Sequence, residues 1–429
     1  GDMKLLLIAP AREEAIKRSY RHKSLAPPLN LGVVAALTPP DIEVRLVDEN
    51  LTPIDLDAKV DLVGITAVTH TAPRAYAIAD AFRSKGVSVV LGGIHPSALP
   101  EEASQHADAV VVGEAEGVWA ALLRDFQEGR LKKIYHSTAR PDLAGLPWAR
   151  RDLFSRKGYI LRHSIATTRG CPFSCAFCTV TSFFGKTYRF RPIPEVLQEL
   201  DSFQHRKLIF FVDDNIVGNP RRAKQFFRAL IPYKVHWISQ ASINMARDSE
   251  LVELASASGC AGLFVGIESL SPMNLAAVSK LSNKVDEYES AIEKIHSYGI
   301  PIAGSFIFGF DYDTEDVFQE TVDFVKRTRI ETPQYGILTP FPGTAIHDRM
   351  EREGRILTKD WSKYRLDNVV FEPKLMSPET LQKGHDWAWK QTFNLTSIFH
   401  RVGFLRSNVV PLWAANWNFR DRWARKSWA

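Results

Sequence analysis

TTRGCPFSCAFCTV, residues 167–180, holds three of the four cysteines of a 429-residue chain. Cys171, Cys175 and Cys178 form the pattern C-x3-C-x2-C. A structural zinc site wants four protein ligands, usually as two separated pairs. The remaining cysteine, Cys260, is remote, and no histidine lies near the trio in sequence. Three thiolates on a short loop suit a four-iron four-sulfur cluster whose fourth iron is left open. An open metal position can take a substrate or a cofactor. So few cysteines in so long a chain do not make a disulfide scaffold, which points to a reducing compartment.

The cysteine stretch directly follows an apolar run, HSIATTRG. Five further strand-like runs come after it: KLIFFVDDN, VHWISQASI, GLFVGIES, PIAGSFIFGF and YGILTPFPG. They are spaced widely enough for a strand, a helix and two loops each. Six βα units predict a partial (β/α)6 barrel over 159–355, with its chemistry on loops at the strand carboxyl ends. Ahead of it, KLLLIAP, IEVRLVDEN, VDLVGITAV, VSVVLGG and DAVVVGE are short, apolar and β-branched, with helical patterns between several of them. These predict an open, doubly wound (Rossmann-like) α/β domain over 1–135. Such sheets bind ligands beyond their strand carboxyl ends, here Thr66–His70, Gly92–His95 and Gly113-Glu114. A proline-punctuated stretch reads as a linker over 136–158, and 356–429 as a mainly helical C-terminal region.

The C-x3-C-x2-C spacing, with Phe177 before the last cysteine, a preceding strand and six βα units, resembles the radical S-adenosylmethionine enzymes over roughly residues 160–345. The resemblance implies that the open iron chelates the amine and carboxylate of S-adenosylmethionine. An external donor such as flavodoxin or ferredoxin then supplies one electron, and the resulting 5′-deoxyadenosyl radical abstracts hydrogen from an unactivated carbon. It also implies that Phe177 packs near the adenine, and that the loop Thr339 to Pro342, Phe341 included, meets the adenine too. Asp213, with Asp214 and Asn215, stands where family members contact the methionine moiety; by themselves these residues read equally as a cap after a strand. Gln240 and Glu268 end the third and fourth strands. Glu268, in GIES, resembles the family's ribose-binding carboxylate, against the alternative of a solvated surface group. Cys260 reads as a small buried side chain.

The front domain, with GGIHPSALPEE and DAVVVGEAE, resembles the cobalamin-binding domain that precedes many such enzymes, over about residues 3–130. PPLNLGVVAAL resembles that domain's first helix. No D-x-H-x-x-G is present, so a histidine serving as lower cobalt ligand is not expected. Candidate corrinoid contacts are Thr66, Thr69, His70, Gly92, Gly93, Gly113 and Glu114. The glycines would let backbone approach a large flat ligand, or would only shape turns. Both cofactors together imply methylation of an unactivated carbon, the methyl group passing from methylcobalamin to a substrate radical. The alternatives are a radical cyclisation, rearrangement or oxidation without methyl transfer, or a non-catalytic zinc- or nucleic-acid-binding protein. Methylthiotransferases carry three further cysteines in their first domain, and none precedes Cys171 here.

A net charge of +5, dispersed along the chain, gives no reason to expect nucleic acid. No run approaches the ~20 apolar residues of a spanning helix, and no signal-peptide pattern opens the sequence, so a cytoplasmic location is expected. The C-terminal region holds seven of the ten tryptophans. Its end, PLWAANWNFRDRWARKSWA, interleaves them with Arg and Lys. Such a segment suits peripheral contact with a bilayer and a lipid or pigment substrate. The alternative, which we favour, is a helix that packs its tryptophans onto the domain and turns its charges to water. The substrate itself is expected to be a small molecule.

Overall fold

The computed structural model describes residues 3–12, 16, 23–203, 208–403 and 409–426. The first sheet has six parallel strands: β1 (Lys4–Ala9), β2 (Glu43–Asp48), β3 (Leu62–Thr66), β4 (Ser88–Gly92), β5 (Ala109–Val112) and β6 (Ile134–His136). Their order is β2-β1-β3-β4-β5-β6. Alternation along each strand divides its side chains between two cores. Leu6 and Ile8 join Val63 and Phe82 on one face, while Leu5 and Leu7 join Trp119 and Leu122 on the other. The strand order reverses between β1 and β3, which opens a crevice at the carboxyl ends where Thr66, Gly92 and Gly113 lie.

Five of these strands match the apolar runs of the sequence. The sixth does not, because Ile134–His136 is a three-residue edge strand preceded by Lys132 and Lys133, and it lies across position 135. The stretch after it is strapped to the front domain. Arg150 N–H donates to Gly32 O (2.9 Å), Ser24 N–H to Gly158 O (2.8 Å), and Ile160 N–H to Ser24 O (3.0 Å).

The second sheet is also six-stranded and parallel. It comprises β7 (Ser164–Ile165), β10 (Leu208–Phe211), β11 (His236–Ala241), β12 (Cys260–Glu268), β13 (Ile302–Phe308) and β14 (Gln334–Ile337), in the order β14-β13-β12-β11-β10-β7. Between β7 and β10, β8 (Thr168–Gly170) pairs with β9 (Tyr188–Phe190) as a separate antiparallel hairpin. The run HSIATTRG is therefore two strands. The chain turns at Thr167, whose N–H and hydroxyl are both taken by Asp213 (2.6 and 2.5 Å).

One set of barrel side chains packs outward under the helices. Trp237 stacks on Phe227 (5.0 Å), Phe308 meets Phe318 (4.9 Å), and Tyr335 meets Trp389 (5.6 Å). The alternate set, including Phe210, Ile238, Gln240, Phe264, Ser305 and Ile307, faces the lumen and is only half-buried. Their registers place them in successive layers with no charged side chain among them.

The C-terminal helices, Pro378–Thr392, Leu395–Val402 and Val409–Lys426, continue the helical layer beyond β14. Leu366 O accepts from Ile337 N–H (2.7 Å) and so covers part of the free β14 edge. The last helix docks by packing. Trp423 stacks on Trp389 (4.8 Å), and buried Asn416 donates to Glu331 O (3.0 Å) and accepts from Arg401 (3.1 Å). Trp417 and Val410 stay exposed. Among the described residues, no helix is long and apolar enough to cross a membrane.

Candidate active site

The cysteine loop leaves β8 through Gly170, at φ +84°, where a Cβ would sit 2.1 Å from Thr187 O. Only glycine lets β8 pass this close to β9. Cys175 is buried, and Cys171 and Cys178 are half-buried. The loop is pinned from two sides, since Ala176 N–H donates to Val278 O (2.9 Å) and Ala176 O accepts from Ile346 N–H (3.0 Å). Phe177 leans on Phe310, ring centroids 6.1 Å apart.

Three consecutive residues after β10 brace the stem of that loop. Asp213, fully buried, accepts from Thr167 and from Thr168 N–H (3.1 Å). Asp214 accepts from Gly170 N–H (3.1 Å), and Asn215 donates to Cys171 Sγ (3.8 Å). Burial raises the Asp214 carboxyl to about 6, although the Gly170 bond opposes it. Asp213 thus engages its carboxylate with the turn between β7 and β8 and does not cap the following helix, whose N-cap is Asn219.

Glu268 closes β12 in a left-handed conformation, φ +67°, beside a register shift after Gly266. Its carboxylate folds back over Gly266, where a Cβ would lie 2.3 Å from Oε1. Lys280 Nζ approaches the same oxygen at 3.4 Å. Burial pushes the Glu268 carboxyl up, against the pull of Lys280. For the Lys280 ammonium burial acts downward, but Glu268 and the three cysteines outweigh it, and the net shift is upward. A non-glycine residue at positive φ is strained, and such strain gathers at functional sites.

Burial also pushes the Cys175 thiol up to about 11 and raises that of Cys178, with Lys280 drawing both the other way. Neutral thiols in such a pocket become ligands when a metal supplies the charge that deprotonates them. Among the described residues, no three His, Cys, Asp or Glu side chains converge as they would around a single metal ion. The donor set is three thiolates borne on one braced loop, which fits an iron–sulfur cluster.

Gln240, at the end of β11, is half-buried and lies beside Phe264 in register. Thr339 is buried, and its hydroxyl donates to Ile337 O (2.9 Å), leaving backbone groups as what this loop offers. Phe341, and Leu99 from the front domain, both pack against the cluster of Trp361, Tyr364 and Val370. At Gly343, φ +83°, a Cβ would lie 3.1 Å from Ala98 Cβ and 4.0 Å from Ser182 Cβ. The loop after β14 is therefore wedged between the front-domain helix Ile94–Ala98 and the helix Thr179–Phe184 that follows Cys178. The front-domain crevice and the cysteine loop adjoin.

Within that crevice, Gly93 (φ +102°) leaves no room for a Cβ, which would meet Ala67 O at 2.8 Å and Thr66 Oγ1 at 2.9 Å, so it shapes the turn. Gly92 and Gly113 (φ +85°) are less confined, with nearest contacts of 3.6 and 3.4 Å. Thr66 Oγ1 accepts from Asn30 (3.1 Å), and His70 Nε2 accepts from Arg12 (3.0 Å). Thr69 Oγ1 lies 3.2 Å from His95 Nδ1, and His95 Nε2 lies 3.0 Å from Glu102. Glu102 also accepts from Tyr76 OH (2.7 Å) and from Trp361 Nε1 (3.0 Å), which ties the front domain to the C-terminal region. Glu114 has both oxygens engaged by the hairpin beside the cysteines, from Arg169 and Arg189 at 2.7 Å each.

Sequence reasoning missed Lys280, Arg169 and Arg189. No motif marks them; each earns its place only through a partner distant in sequence. Gly266 carried a signal, being the first residue of GIES.

The profile of the Radical SAM superfamily matches residues 165–325, and that of the B12 binding domain matches residues 22–123. The bacteriochlorophyllide d C-12(1)-methyltransferase of Chlorobaculum tepidum is 35% identical, over 99% of this chain and 94% of its own. The bacteriochlorophyllide d C-8(2)-methyltransferase of the same organism is 35% identical over 84% and 85%. The solved structure of the radical S-adenosylmethionine methyltransferase TsrM from Kitasatospora setae, with cobalamin and a [4Fe-4S] cluster bound, has the same fold. Its TM-score is 0.70 at 16% identity, covering 98% of this chain and 100% of that one.

Proposed function

The chain belongs to the radical S-adenosylmethionine superfamily, in its cobalamin-dependent methyltransferase branch, and from that premise we propose that it methylates an unactivated carbon of a tetrapyrrole pigment. Its cofactors are a 4Fe–4S cluster, S-adenosylmethionine and cobalamin, and it draws electrons from an external reductant. The pigment reading rests on end-to-end similarity to an enzyme named for a bacteriochlorophyllide. The lumen supports it, because Phe210, Ile238, Phe264 and Ile307 offer apolar walls and Gln240 and Ser305 a few uncharged polar groups. That lining suits a flat, weakly polar ring.

In this reading Cys171, Cys175 and Cys178 hold the cluster. Phe177, Glu268, Gln240 and the backbone of Thr339–Pro342 hold S-adenosylmethionine, and the crevice around Gly92 and Gly113 takes the corrin. When bound, the cofactors supply a carbon-centred radical and a transferable methyl group. The protein's part is placement and exclusion. Asp213, Asp214 and Asn215 fix the stem of the cysteine loop, and the left-handed Glu268 aims its carboxylate over Gly266 with Lys280 beside it. The wedged loop at Gly343 sets the distance between the front domain and the barrel. Bringing reacting groups together in one geometry is worth about 7–11 kcal/mol of barrier.

The test is anaerobic purification followed by turnover with methyl-labelled S-adenosylmethionine, a reductant and bacteriochlorophyllide d. Label in the pigment, abolished together with bound iron and sulfide in Cys171→Ala, is the expected result. An iron-loaded, cobalamin-loaded enzyme that leaves the pigment unlabelled would overturn the substrate assignment.

A further inference from the structure

Above the barrel rim, the loop after β13 carries Asp311, which is buried and draws three cations to itself. Arg349 Nη2 donates to it at 2.9 Å, Arg355 Nη1 at 3.0 Å, and Lys374 Nζ lies 3.2 Å away. Glu353 pairs with Arg355 at 2.9 Å. Three cations thus meet two carboxylates, and the group carries a net positive charge. Arg349 Nε and Arg355 Nη2 make no hydrogen bond among the described residues, so the cations are short of acceptors. The cluster is built and not merely gathered on a surface. Arg355 is nine-tenths buried, lies against Phe371 (5.8 Å) and donates from Nε to Glu372 O (2.8 Å).

Two of the cations keep an outward face, since the side chains of Arg349 and Lys374 are 31% and 46% exposed. Two exposed apolar residues adjoin members of the cluster in sequence. Tyr312 follows Asp311 and is 49% exposed, and Leu375 follows Lys374 and is 54% exposed. The patch is joined to the site already described. Phe310, beside Asp311, is the ring on which Phe177 leans, and Ile346, three residues before Arg349, bonds to the cysteine loop.

A pair of half-exposed cations with apolar side chains in the same loops, on the segment that follows β13 and adjoins the ring against Phe177, matches an amphiphilic carboxylate. We propose that Arg349 and Lys374, seated on Asp311 and Arg355, receive a free carboxylate side chain of the pigment while Tyr312 and Leu375 lie along its ring edge. This rests on the pigment reading and adds to it which side chains receive the pigment's free propionate. The paired guanidinium and ammonium give charge-assisted bonds that an ester cannot accept with equal strength.

The experiment titrates the anaerobically purified full-length enzyme, followed by pigment absorbance, with pheophorbide a and with its methyl ester. The two probes differ in charge at the one propionate. The acid is expected to bind about tenfold tighter, which corresponds to one charge-assisted contact. The preference should disappear in Arg349→Gln/Lys374→Gln while ester affinity stays at the wild-type value, and this unchanged ester binding shows that the variant is folded. Equal binding of acid and ester by the wild type, or a preference that survives in the variant, would sink the carboxylate site alone. Binding of neither pigment would instead overturn the pigment reading, and the site with it.

Discussion

Asn215 donates its side-chain N–H to the sulfur of Cys171 across 3.8 Å, while its carbonyl oxygen accepts from Ser242 N–H at 3.2 Å. The residue is held from behind by β11 as it reaches forward to the thiol. A donor aimed at a cluster sulfur favours the reduced, more negative state. Asn215→Ala should therefore lower the cluster's reduction potential. A neutral hydrogen bond is worth roughly 0.5–1.5 kcal/mol, so the fall should be on the order of 20–60 mV for one electron. A potentiometric titration followed by electron paramagnetic resonance reads it, and an unchanged potential refutes the assignment.

Gly266 leaves the space that the Glu268 carboxylate occupies. Gly266→Ala should displace that carboxylate without unfolding the barrel, because the residue faces the half-open lumen. Overpacking of this kind costs about 1–3 kcal/mol, which, if borne by the cofactor site, corresponds to roughly five- to 150-fold weaker S-adenosylmethionine binding. Equilibrium dialysis of the cluster-loaded protein would detect it. Wild-type affinity would show that Glu268 does not hold the cofactor.

Glu114 is 5% exposed and satisfies Arg169 and Arg189 together. Glu114→Ala takes the shared carboxylate from two half-buried cations, leaving Arg169 with Glu116 and Arg189 with Pro141 O. The cost should therefore fall below the roughly 3–5 kcal/mol of breaking a fully buried pair. A clear loss in chemical-denaturation midpoint is expected, together with faster proteolysis in the 137–148 stretch as the front domain loosens. Restoring wild-type stability with Glu114→Gln would argue for a purely steric role.

Glu102 gives a pH signature. Burial alone would raise its carboxyl, but hydrogen bonds from His95, Tyr76 and Trp361 outweigh that and lower it to about 2. A carboxyl of this kind starts near 4.3 in the unfolded chain. Its stabilisation is complete above that value and is lost as pH falls from there to about 2. The wild type should lose stability across this window more steeply than Glu102→Gln. Parallel curves for the two proteins would contradict the network.

The cysteine loop, five front strands and six barrel strands were legible because each is a local pattern: a spacing of thiols, or an apolar run bounded by turn residues. What escaped was set by partners far along the chain. Lys280 meets Glu268 twelve residues away, and Arg189 meets Glu114 seventy-five residues away. Neither separation leaves a periodic mark. The strand β6 was hidden for a different reason: three residues at an edge, behind two lysines, carry too little alternation to be read. The division of HSIATTRG into two strands was equally unreadable, since it depends on the Asp213 carboxylate arriving at Thr167 from the next βα unit. For Asp213 the two readings, cap and cofactor contact, were left level. Its hydrogen bonds to Thr167 and Thr168 now account for the side chain as a brace.

The bond from Trp361 to Glu102 spans 259 residues of sequence. During synthesis at roughly 5–20 residues per second, Glu102 leaves the ribosome some 13–50 s before its indole partner exists. The front domain can fold in that interval, but its carboxylate waits, and the seat beside Leu99 stays open to solvent. Assembly of this enzyme therefore has a fixed order. The crevice and the cysteine loop are brought to their final spacing only after Trp361 has been made.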